Sequence, residues 1–151
     1  MPQTITHDRR DAAAYELSTT SEDIGKLLLR LAVGFLMLLH GIAKMTNGVD
    51  GIEGMLEKNG LPTAIAYGAY IGEVIAPLFV IIGLFTRPAA LVMAVNMLFA
   101  VGLAHAEQLF QLGKQGGWAL ELQGLFLFGS LAIALLGAGR LSFGGLHGRW
   151  N

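Results

Sequence analysis

Glu73 is the one charged residue between Thr63 and Phe85, in the middle of an apolar run that reaches the ~20 residues needed to cross a bilayer. A carboxylate at mid-depth costs ~3 kcal/mol on insertion scales. Such a group is usually retained where it faces other protein, finds partners or does chemistry. Pro77 lies four residues on and lacks the N–H that would bond the Glu73 backbone carbonyl. One position therefore presents both a carboxyl and a freed carbonyl. The other polar groups that could join it in apolar surroundings are Arg30, His40, Lys44, Asn96, His105 and Glu121.

These residue types fit a quinone-like headgroup. Histidine, lysine and arginine donate hydrogen bonds to carbonyl oxygens, and carboxylates pass protons. In this reading His40 and Lys44 contact the headgroup, and Arg30 and His105 are further ligand-binding residues. Glu73 and Glu121 are the candidate catalytic residues and handle protons. Two histidines and two carboxylates also match zinc, copper or iron in ligand type. No H-x3-H or H-E-x-x-H spacing concentrates them, so no metal ligands are assigned. A transport pathway is a third use, for which a short chain without internal repeats is small. Each residue has a plainer reading too. Arg30 fits a headgroup anchor, Lys44 and Glu121 fit membrane-edge residues, His105 a solvated imidazole, and Asn96 a bond between helices. With no cysteine, no serine-nucleophile motif and no phosphate or dinucleotide loop, electrons would have to come from a partner protein or a bound substrate. The cofactor is unknown, with quinone as the candidate. A rival class is a non-enzymatic membrane partner, in which Glu73 pairs with Arg30 or Asn96 as structural glue.

The elements that must position these groups are helical. Of 151 residues, 54% are hydrophobic and 14% charged. A soluble domain carries more charge. The net charge of −1 gives no electrostatic basis for a nucleic-acid partner; the lipid bilayer is the first partner. Residues 1–23 read as a polar tail, mobile or loosely helical, with Ser21, Glu22 and Asp23 able to cap the next helix. Spans are expected at about 24–44, 63–85, 89–110 and 118–136. Residues 50–59 place Ile52, Met55 and Leu56 on one stripe, predicting a short amphipathic helix at the interface. Residues 141–151 form a short C-terminal tail. The fold class is all-α, an integral-membrane up-and-down four-helix bundle with that interfacial helix between the first two spans.

Within the first span, Arg30, Gly34, Met37, Gly41 and Lys44 recur at helical spacing, and His40 shares a face with Lys44. In the second, Ala64, Gly68, Gly72 and Ala76 form a small-residue run that predicts close helix packing, with Glu73 at its border. Asn96 and His105 are nine residues apart, on opposite faces of a straight helix. Thr86-Arg87-Pro88 reads as a tight turn. Arg9, Arg10, Lys26, Arg30, Arg87, Arg140 and Arg149 fall at one end of the spans, and Lys44, Lys58 and Lys114 at the other. By the positive-inside rule both termini are cytoplasmic.

Several short pieces together resemble the DoxX family of small bacterial inner-membrane proteins. They are Leu29-Arg30, His40-Gly41-Ile42-Ala43-Lys44-Met45, Gly72-Glu73-Val74, Gly83-Leu84-Phe85-Thr86-Arg87-Pro88 and Gly137-Ala138-Gly139-Arg140-Leu141-Ser142. The resemblance covers about Gly25 to Ser142. It implies a four-helix protein of the bacterial inner membrane with cytoplasmic ends. It also implies a redox-associated subunit, part of a quinone-linked oxidoreductase complex if it is an enzyme. A redox partner protein and a second copy of the chain are the candidate protein partners. Arg30, His40, Lys44, Glu73 and Glu121 fall on polar positions typical of the family. Its usual Gly-Pro-Gly-Arg ending is Gly-Ala-Gly-Arg here.

Overall fold

The computed structural model describes residues 4–114, 116–145 and 150–151, with side chains from residue 20 onward. Arg9, Arg10 and Arg149 therefore contribute no described side chain. Among the described residues every regular element is a helix, apart from an isolated antiparallel bridge between Leu112 and Trp118. Helix α1 is Thr4–Asn47, α2 is Asp50–Lys58, α3 is Thr63–Ile82, α4 is Thr86–Ala104 and α5 is Glu121–Leu136. Three stretches are long and apolar enough to cross a membrane: Thr20–Asn47, Thr63–Ile82 and Thr86–Ala104. Helix α5, at the expected fourth span, has 16 residues, ~24 Å at 1.5 Å per residue.

The expected tail is a continuation of α1, whose backbone is helical from Thr4. Asp23 is thus no cap. It is buried inside the helix and ties it to the end of α5, accepting the Arg140 backbone N–H at 3.0 Å and facing Arg140 Nε at 3.5 Å. The expected stripe of α1 does face the bundle: Arg30, Gly34, Met37 and Gly41 are buried and Lys44 is half-buried. The core beneath them gathers Val33, Met37, Ala76, Val80, Ala90, Met93, Met97, Phe126 and Ile133.

α3 departs from ideal geometry twice. It opens as a 3-10 helix, Thr63–Tyr67, and widens to a π-helix, Ile71–Ile75. The widening has a local cause. Pro77 offers no N–H to Glu73 and its ring crowds that carbonyl, and the Ala76 N–H reaches back five residues to Ile71 O. These changes of pitch redirect the buried face. Ala64 and Gly68 are exposed, while Ala66, Ala69, Gly72, Glu73, Ala76 and Val80 are buried. The expected run of small residues is therefore a packing face only in its second half.

The turn before α4 is Gly83-Leu84-Phe85, with Gly83 at φ 77° and Phe85 at φ 48°. Thr86-Arg87-Pro88 is instead the first turn of α4, where a proline is tolerated. That helix stops at Ala104, short of the expected Phe110, because His105 leaves helical geometry at φ −135°. A 3-10 turn, Ala106–Gln108, follows.

Candidate functional site

The backbone carbonyl of Glu73 faces α1, and its carboxylate faces both α1 and α4. Its backbone carbonyl lies against Gly41 of α1, where any Cβ would overlap it. A glycine is the one residue that lets α1 come this close. Its carboxylate is buried. One oxygen pairs with Lys44 Nζ, and the other accepts a hydrogen bond from Asn96 Nδ2 at 3.1 Å. Asn96 reaches it because Gly72 leaves room: a Cβ at Gly72 would come within 2.5 Å of the Asn96 side chain. A carboxylate, an ammonium and an amide from three helices thus meet at one depth.

Two cavities flank this cluster. The larger is a groove of about 440 Å³ whose walls come from α2, α3 and α4. Ile52 and Met55 cover one end, Ile65, Ala69 and Ile71 form one side, and Val92, Val95 and Phe99 the other. Glu73, Lys44, Asn96 and His105 supply its polar groups. Its apolar walls include Ile65, Ile71, Val92, Val95 and Phe99, which are exposed on the bundle's outer surface. The smaller cavity, about 190 Å³, is bounded by Met37, His40, Met97, Leu122, Gln123 and Phe126. Lys44, Glu73, Ala100 and His105 are walls of both.

His105 joins the site because α4 ends there; with that break it and Asn96 border the same groove. Its Nδ1 is buried and has no hydrogen-bond partner among the described residues. His40 is exposed at the smaller cavity, its ring edge-on to Phe126 with centroids 5.5 Å apart. Four of the six expected site residues therefore gather around these cavities: His40, Lys44, Glu73 and His105. Glu121 does not. It is the exposed first residue of α5 and borders neither cavity. Gln123 lines the smaller cavity in its place. Residues two apart on a helix point ~200° apart, so the position at which α5 starts decides which side chain faces in. Gln123 carried a signal, as a polar residue inside the apolar fourth span.

Arg30 lies at the far end of the bundle. Its guanidinium donates to Val80 O at 2.9 Å, Ile81 O at 3.0 Å, Leu141 O at 3.1 Å and to Ala138 O. It closes the C-terminal ends of α3 and α5 and is 1% exposed. Arg87 and Arg140 share this end. Arg87 bonds Ala134 O at 3.3 Å and the backbone oxygen of Asn151 at 3.0 Å. Arg30, Arg87 and Arg140 thus gather at the end of the bundle opposite Lys44. Among the described residues, no three His, Asp or Glu side chains come together as a metal site.

The DoxX family model matches residues 25–106, which contain His40, Lys44, Glu73, Asn96 and His105. A Bacillus subtilis (strain 168) protein named "Putative oxidoreductase CatD" is 33% identical over 118 residues, covering 78% of this chain and 83% of that protein. A protein from Haemophilus influenzae, named only as uncharacterized, is 31% identical over 104 residues, covering 66% of this chain and 76% of its own. No solved structure matches the chain. The matched segment holds three apolar helices of membrane-crossing length: the chain is a membrane protein and belongs to the DoxX family.

Proposed function

We propose that this protein is a redox-associated subunit of the bacterial inner membrane that binds a quinone-like molecule in the larger groove. The observation that carries the reading is the Lys44–Glu73–Asn96 cluster at the head of a groove whose apolar walls reach the bundle's lipid-facing surface. A groove of about 440 Å³ falls within the ~300–1,000 Å³ typical of small-molecule sites. Its polar end offers donors from Lys44 and Asn96, and an imidazole with a free ring nitrogen. Its apolar remainder suits a ring edge and the start of an isoprenoid tail. The relative named as an oxidoreductase supports redox chemistry.

In this reading Lys44 and Asn96 donate to a headgroup carbonyl, Glu73 exchanges its proton, and His40 and His105 extend the polar wall. Glu121, exposed at the start of α5, is a second proton-handling group at the bundle rim. Arg30 supports the fold from the other end. Electrons pass to or from a partner protein. The topology is four spans up and down, with both termini cytoplasmic and α2 in the opposite interface. Segregation of Arg30, Arg87 and Arg140 from Lys44 supports that orientation.

A second reading is favoured by one feature. Both Glu73 oxygens are already taken, as they would be in a purely structural tie between helices within a non-enzymatic membrane partner. Binding of decylubiquinone to the protein in lipid nanodiscs separates the two. Saturable binding by the wild type, lost in a folded Lys44→Met/Glu73→Leu variant, is the expected result. No saturable binding by the wild type leaves the structural tie.

A further inference from the structure

The smaller cavity differs from the groove in where it lies and what lines it. Lys44 is within a turn of the end of α1 at Asn47, His105 directly follows the end of α4, and Leu122 and Gln123 are in the first turn of α5. The ends of three helices therefore border it, and Met37, Met97 and Phe126 extend it toward the core. Its polar walls come from several elements: His40 and Lys44 of α1, Glu73 of α3, His105 after α4, and Gln123 of α5. Its 190 Å³ has room for several waters at ~30 Å³ each. A buried water needs two to four polar partners. The unpartnered His105 Nδ1 is one group that a water can satisfy.

We propose that this cavity is a water-filled port that connects the Lys44–Glu73 pair to the aqueous phase at the α2 end, separately from the lipid-facing groove. The pair and His105 form the wall between the two compartments. An amphiphile then arrives from the bilayer, while its protons leave to water on the other side of the same carboxylate. This last step rests on the quinone reading: a headgroup O–H gives its proton to the Glu73 carboxylate, and the resulting carboxylic acid returns it to port water. The port itself requires only that water reach the pair.

The chain has no cysteine, so single cysteines report access directly. Gln123→Cys and Met97→Cys sit in the port, Ala100→Cys in the shared wall, and Val95→Cys in the groove. Each variant in proteoliposomes is treated with a charged methanethiosulfonate or with a lipid-soluble maleimide, and labelling is read by mass spectrometry. The port predicts that Gln123→Cys, Met97→Cys and Ala100→Cys are labelled by the charged reagent, from the α2 side alone. Val95→Cys is labelled by the maleimide alone. If Met97→Cys and Ala100→Cys resist the charged reagent while their melting temperatures match the wild type, the cavity is dry and the port is refuted. Failure of the quinone reading looks different: the port cysteines are labelled as expected, and decylubiquinone does not bind.

Discussion

Two cations on one face of α1, Arg30 and Lys44, meet opposite fates. They lie about four turns apart, ~21 Å at 1.5 Å per residue. Arg30 is buried and spends its guanidinium on four backbone carbonyls, beside an open cavity lined by Leu27, Ile81, Leu141 and Phe143. Lys44 pairs with one carboxylate and keeps 28% of its side chain exposed, with a cavity on each side. The contrast follows from what each end of the bundle must satisfy. Helix ends leave carbonyls unbonded, and a planar fork of donors answers several at once. A lysine is a compact point charge on a flexible stem and can change partners. The same position type therefore serves as a rivet at one end and as a contact open to exchange at the other.

The contrast is broken most severely by removing the rivet. Arg30→Met leaves four carbonyls without their donor at a buried site, and is expected to cost more than ~3 kcal/mol, read as loss of the monodisperse folded protein in detergent. Arg30→Lys is not expected to restore it, because one ammonium cannot reproduce the fork. Next in size is Lys44→Met, which strands a buried carboxylate. A loss of about 3 kcal/mol is expected, at the low end for buried pairs because Lys44 is partly exposed. In thermal unfolding the Lys44→Met/Glu73→Leu double variant should recover most of that loss, since an apolar pair replaces a charged one. A smaller effect is expected for Gly41→Ala, whose Cβ overlaps the Glu73 carbonyl. It should cost ~2 kcal/mol through forced separation of α1 and α3 and disturb the site without touching a charge. The smallest belongs to Glu121→Gln, an exposed side chain outside both cavities. Its stability should stay within ~0.5 kcal/mol of the wild type, with decylubiquinone affinity unchanged; a large loss of affinity would place Glu121 in contact with the ligand.

Much of this was legible in the sequence, and the remainder was hidden for identifiable reasons. A lone carboxylate in an apolar run marks its own position as one that needs partners, and Glu73 has them. The stripe from Arg30 to Lys44 was readable because α1 keeps a regular pitch. The face of α3 was not, because its small-residue run was read at one constant pitch. Pro77 and the 3-10 opening change that pitch within twenty residues. The roles of Arg30 and Lys44 were not separable either. Both are cations on the same face, and what distinguishes them is which carbonyls other helices bring near. Glu121 and Gln123 exchange places with respect to the cavity through the starting point of α5, which the glycine-rich approach to Trp118 does not specify locally.

In the proposed reading the Lys44–Glu73 end holds a membrane-dissolved quinone and the Arg30 end does not. A photoreactive benzoquinone with a decyl tail, irradiated with the protein in nanodiscs and mapped by mass spectrometry, tests it directly. The expected adducts fall on groove walls such as Ile71, Val95 and Phe99 and on His105, and unlabelled decylubiquinone suppresses them. Adducts spread evenly over the lipid-facing surface, or concentrated near Arg30, would contradict it.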